Sequence, residues 1–217
     1  MTVRLRTYDA QEGRFGKKGG RLVARYSADH KSQTRKRILE TAGRHFKQHG
    51  IDSSGIAAIM SDADLTNGAF YAHFTSKDDL VANVVADQMR GWQETLGSAP
   101  LDRAALEDFV RGYLSPHHRD HPDTGCPSAA LLDEIGRCDK ATRRAYTQGM
   151  QEFVDAVATC LSPDDPSAAH PQAIGLFTIC VGTLQLARAV TDRRLSDDIL
   201  KSGIRNAQAL LDSAEHR

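Results

Sequence analysis

The stretch Ile56 to Leu80, IAAIMSDADLTNGAFYAHFTSKDDL, constrains this chain of 217 residues more than any other part of it. Ile56, Ala57, Ile59, Met60 and Ala63 recur at helical spacing, with one apolar face and no strand alternation. Asp62 to Leu65 breaks that run. Thr66 then supplies the hydroxyl of an N-cap and opens a second short helix, in which Phe70 and Phe74 point inward while Asn67, Tyr71 and His73 face out. Two helices joined by so short a turn form a helix-turn-helix, whose second helix is shaped to enter a major groove.

The flanking sequence reads as helix throughout, so the expected fold class is all-α. A helix from about Asp29 to His49 carries Ile38, Ala42 and Phe46 on one stripe with Leu39 beside it, and Gly50 ends it. From Lys77 to about Leu96, Val81, Val85, Met89, Trp92 and Leu96 form a stripe long enough to leave the first domain and enter a second. Further helices are expected at about 102–114, 128–138, 141–161, 172–191 and 197–214. Loops are expected at 115–127 and 162–171. The 172–191 helix is apolar on nearly every side and needs cover on all of them, which a second copy of the chain supplies most simply. The expected organisation is a flexible basic arm over residues 1–28, a helix-turn-helix domain over 29–76 and a larger helical effector-binding and dimerisation domain over 77–217.

Formal charge sums to zero, yet it is unevenly spread. Residues 1 to 80 hold 14 Lys and Arg against 9 Asp and Glu, a balance of +5, and the remainder carries −5. A basic first half suits phosphate while an acidic remainder is repelled from it. Within the arm, Arg4, Arg6, Arg14, Lys17, Lys18, Arg21 and Arg25 either reach along a duplex or belong to an inert tail. The four cysteines have no CxxC spacing and the amino terminus has no apolar signal core, so a reducing cytoplasm is expected. The apolar run Ala173 to Leu184 is too short to span a bilayer and reads as a buried helix. An enzyme is not expected: Gly13, Gly16, Gly19 and Gly20 follow no strand, so they make no nucleotide loop, and no nucleophile with a base is evident.

From about Thr34 to Val85, and most densely in T-N-G-A-F-Y-A-H-F-x-S-K-D-D-L from Thr66 to Leu80, the chain resembles the TetR family of one-component repressors. One departure concerns the turn, where the family usually has glycine and this chain has Asp64; aspartate tolerates the left-handed conformation better than most residues. The resemblance implies a homodimer on a palindromic double-stranded DNA operator, with recognition helices about one helical turn, roughly 34 Å, apart. It also implies repression relieved by a small-molecule effector whose binding tilts the helix that starts at Lys77. Lys77, Ser53, Thr66, Tyr71 and His73 fall at positions resembling the family's phosphate-backbone contacts. From the residues themselves, Ser53 and Ser54 are natural caps whose hydroxyls can meet phosphate. Asn67, Gly68 and Ala69 lie on the leading turn of the reading helix, where Asn67 can pair with an adenine edge and Gly68 allows deep seating.

For the effector pocket the sequence offers Trp92, Phe109, Tyr113, Cys126, Leu131, Tyr146, Phe153 and Phe177, each of which also suits plain core. Cys126, in DTGCPSAALLDEIG at the mouth of a helix with His117, His118, Arg119 and His121 upstream, suggests a thiol sensor as an alternative. It weakly resembles a branch of the family that uses a cysteine near this position. No cofactor is implied. The spacing of those histidines and Cys126 matches no common zinc module, so no metal is expected. The remaining alternative is a helical interaction module that does not bind DNA.

Overall fold

A computed structural model describes residues 19–97 and 102–213, apart from the side chains of 19–29, 93 and 95–97. The basic side chains assigned to an arm, the side chain of Leu96 and the whole of Ala214 lie outside what is described. The elements in order are α1 (Gly19–His49), α2 (Ile56–Asp62), α3 (Asn67–Phe70), α4 (Lys77–Gly97), α5 (Arg103–Tyr113), α6 (Pro116–Asp120), a 3-10 turn (Pro122–Thr124), α7 (Pro127–Arg137), α8 (Lys140–Leu161), α9 (Pro166–Ala189) and α10 (Arg193–Asp212). Every described element is helical, as expected. The chain divides into two compact units, residues 1–36 and 37–217. The described part of the first is the opening half of α1, and the packing below belongs to the second.

Three expectations about helix limits change. α1 starts ten residues before Asp29, because Arg21 to Ala42 contains neither glycine nor proline and a nucleated helix propagates at little cost. The 115–127 loop holds a short helix, since Ser115 accepts from the His118 N–H at 3.1 Å and Pro116 is preset for the first helical position. α9 begins at Pro166, capped by Asp165, so the proline-rich 166–171 stretch is helical; Pro171 lies near the start, where its missing N–H disturbs a single bond.

Two cores result. One joins Ile38, Leu39, Ala42 and Phe46 of α1 to Ile59 and Met60 of α2, Phe70 and Phe74 of the α3 region and Leu80 to Met89 of α4. The other fills α5, α8, α9 and α10 around Leu106, Val157, Leu176, Cys180 and Leu184. α4 lies close along α8, where a Cβ on Gly149 would come within 2.5 Å of Met89 Cβ. At 24 residues α9 is long enough by itself to cross a bilayer, which corrects the reading from the shorter apolar run. Its Ala173, Leu176, Cys180, Leu184 and Ala187 are nevertheless buried, and it packs against α8 and α10.

Candidate nucleic-acid interface

The turn between α2 and α3 is a Schellman ending. Asp64 takes φ +52°, its N–H donates to the Ser61 carbonyl at 3.0 Å, and the Leu65 N–H donates to the Met60 carbonyl at 2.9 Å. The left-handed conformation expected of the aspartate is therefore the one it adopts. Thr66 sits at the N-cap of α3, as expected, but its side chain makes no capping bond. The helix itself spans only Asn67–Phe70 before loosening into a turn. What fixes it is packing: Phe70 and Phe74 are buried with ring centroids 5.6 Å apart, and Tyr71 meets Phe70 edge-on at 5.2 Å.

With those rings beneath, Thr66, Asn67, Gly68 and Tyr71 are exposed, Ala69 and His73 are half-buried, and Tyr71 is 71% exposed. Ordinary packing beneath the helix is thus not the role of Tyr71. Lys77 is the first residue of α4, and its Nζ donates to the Asp52 carbonyl at 3.1 Å, which brings the lysine to the turn that carries exposed Ser53. A reciprocal cap positions that lysine. The Asp79 N–H donates to Ser76 Oγ at 3.1 Å, while the Asp79 carboxylate accepts from the Thr75 N–H at 2.8 Å. Behind the pair, His45 Nε2 lies 2.6 Å from Asp62 Oδ2 and ties α1 to the end of α2.

Ser54 does not join this surface. It is 2% exposed and its hydroxyl donates to the Gly50 carbonyl at 2.7 Å, so it closes the α1–α2 turn instead of facing phosphate. The cap of α2 is Gly55 rather than either serine.

The eight residues proposed for an effector pocket separate into two groups. Trp92, Phe109, Tyr113, Phe153 and Phe177 form a continuous run of ring contacts, with Phe153 to Phe177 closest at 4.7 Å. Tyr113, Phe153 and Phe177 are buried core. Leu131 belongs to the core of α1–α4, and Tyr146 packs against that core while its hydroxyl meets Ser128 Oγ at 3.0 Å. Helical period cannot reveal this, because it marks α7 as having an apolar face without saying which core that face meets.

Cys126 is buried at the N-cap of α7. Of the upstream histidines, His118 does not supply the positive charge expected beside it. His118 is held neutral: its Nδ1–H donates to the Tyr113 carbonyl at 2.8 Å and its Nε2 accepts the Cys126 N–H at 2.9 Å. Burial pushes it down to about 4, against the opposing pull of the Tyr113 bond. The cations acting on Cys126 are Lys47 and Arg188. Arg188 spends its donors on the carbonyls of His118, Arg119 and Ala129.

Lys47 and Glu134 were not singled out from the sequence. Lys47, in the last turn of α1, donates to the Gly125 carbonyl at 2.9 Å, and burial pulls its amine down to about 8. Glu134 of α7 accepts the Ile51 N–H at 2.6 Å, just past Gly50 at φ +86°. The first bond fastens the end of α1 to the segment that opens α7, and the second ties the turn after α1 to the last turn of α7. A faint signal existed in Gly43, a glycine inside a helix: a Cβ there would collide with the Gln88 amide.

This arrangement, a short exposed helix braced by two others and continued through α4 into a helical bundle, defines the helix-turn-helix regulator class. Residues 38–84 match the model of the bacterial regulatory proteins of the tetR family. The chain is 37% identical over 62 residues to the HTH-type transcriptional regulator AcrR of Shigella flexneri, a match covering 29% of each chain. Its fold is similar to the TetR-family transcriptional regulator SCO4454 of Streptomyces coelicolor, with TM-score 0.64, 26% identity and coverage of 84% of this chain and 96% of that one. It is also similar to reduced E. coli NemR, with TM-score 0.68, 18% identity and coverage of 82% and 96%. Residues 38–84 are thus a DNA-binding domain of the tetR family, and the fold around them is like that of a TetR-family transcriptional regulator.

Proposed function

We propose that this chain is a cytoplasmic DNA-binding repressor that reads a palindromic operator as a homodimer and releases it on binding a small molecule. The observation that carries this reading is the exposure of Thr66, Asn67, Gly68 and Tyr71 together on a helix whose other side, Phe70, is fully buried. Asn67 is the base reader, and Ser53, Thr66, Tyr71, His73 and Lys77 grip phosphates, with Gly68 and Ala69 setting the depth of entry. In this reading the head ends at residue 76, and α4, starting at Lys77, carries movement from the bundle to it. Dimerisation is supported by apolar side chains left uncovered on the last two helices, Leu186 at 61% and Leu195 at 48% exposure.

A mobility-shift titration with genomic fragments at several salt concentrations tests the reading. Lys77→Ala is expected to weaken all sequences alike and to reduce the salt slope by about one. Asn67→Ala is expected to relax the choice at one base position per half-site, by about 1–3 kcal/mol of discrimination. A chain that retains no fragment even at low salt is a helical interaction module instead.

A second reading has Cys126 as the trigger, favoured by its place at the N-cap of α7 beside Lys47 and Arg188. Release of operator by mild peroxide that persists in Cys126→Ser excludes it.

A further inference from the structure

We propose that the cleft bounded by Lys47, Gln88, Gly91, Trp92, Thr124 and Gly125, where α1 and α4 meet the segment before α7, is a binding site for a small aromatic hydroxy acid. It has a volume of about 290 Å³, at the small end for ligand sites, which suits one ring. A larger cleft of about 640 Å³ between α8 and α9 is crossed by the His170–Asp155 pair at 3.0 Å and has no buried unsatisfied polar atom among the described residues that line it.

Three features of the smaller cleft specify its occupant. Trp92 supplies a flat apolar wall, held in place by stacking on His118 at 5.3 Å. Lys47 uses one donor direction on the Gly125 carbonyl, and an ammonium has three. Among the described residues no carboxylate is hydrogen-bonded to this amine, Asp123 acting on it only through its charge, and burial has already stripped part of its hydration, so an arriving carboxylate restores what was lost. Gln88 provides the third: its amide oxygen is buried without a hydrogen-bond partner among the described residues, and a turn of the amide toward the cleft lets a ligand hydroxyl supply one. An acid group for Lys47, an adjacent hydroxyl for Gln88 and a ring for Trp92 together describe the ligand class. Because Lys47 also fastens α1 to Gly125, a ligand on the remaining donors of that amine bears directly on the fastening. This regulatory consequence rests on the DNA-binding reading, whereas the site does not.

Calorimetric titration of the full chain without DNA, using 2-hydroxybenzoate and benzoate as probes, tests the site. The hydroxylated probe is expected to bind about fivefold tighter or more, and Lys47→Met to weaken both by about tenfold. Gln88→Leu is expected to keep benzoate binding, lose the preference for the hydroxylated probe, and leave the unliganded protein no less stable. Benzoate is also expected to change the emission of Trp92, the chain's single tryptophan. Absence of heat at millimolar probe, or equal affinities in the wild type and Gln88→Leu, overturns the proposal; the latter comparison decides even where Lys47→Met does not fold. Operator retention by a chain that binds neither probe leaves the repressor reading standing and removes only the site.

Discussion

The head and the bundle solve the problem of helix ends in opposite ways. In the bundle, Asp102, Asp139, Asp165 and Asp192 each accept backbone N–H groups at the start of a long helix, as at Asp139 to Thr142 N, 2.8 Å. In the head, α2 and α3 have seven and four residues and no side-chain cap at either start. Isolated helices that short do not persist in water, so the head depends on Ile59, Met60, Phe70 and Phe74 beneath it. Thr66, at the start of α3, spends no hydroxyl on a cap, and hydrophobic packing from below replaces that local stabilisation.

The sharpest way to break this contrast is Phe70→Ala. It should cost about 3–5 kcal/mol and abolish operator binding, read by chemical denaturation and mobility shift. Should operator binding survive, the head does not depend on its core. Next comes acid. The folded His118 refuses its proton down to about 4 while the unfolded chain accepts it near 6.5, so stability is present above 6.5 and falls as pH drops from 6.5 to 4. The loss attributable to this group is about 3 kcal/mol at most, and a His118→Gln variant should lack it in denaturation curves across that window. At the turn, Asp64→Val should cost about 1–2 kcal/mol by forcing a β-branched residue to positive φ, while Asp64→Gly should be nearly neutral. Smallest is Asp139→Ala, which should lower the melting temperature by the equivalent of about 1 kcal/mol and leave DNA affinity unchanged. Equal damage to DNA binding would show that the bundle's caps and the head's core are not separable.

Legibility follows the same divide. Features set within a few residues were readable: the stripe Ile38, Ala42, Phe46, the inward Phe70 and Phe74, and the left-handed turn at Asp64 all follow from local period and local sterics. What escaped depends on partners distant in sequence. Leu131 lies in the head's core, Lys47 reaches Gly125 and Glu134 reaches Ile51, the last two across 78 and 83 positions. No spacing rule links such residues. Ser54 illustrates a subtler limit: a serine before a helix is a natural cap, but the hydroxyl found the Gly50 carbonyl behind it, and period alone does not tell the two apart.

Gly50 makes a demand on descent as well as on shape. Any other residue there would need an unfavourable backbone angle and would place its Cβ 3.0 Å from a Glu134 carboxylate oxygen, the same carboxylate that accepts the Ile51 N–H. Positions 50 and 134 are therefore linked: a residue with a Cβ at 50 would take the unfavourable angle and push the acid off the Ile51 N–H, and so would reset how the end of α1 is tied to α7.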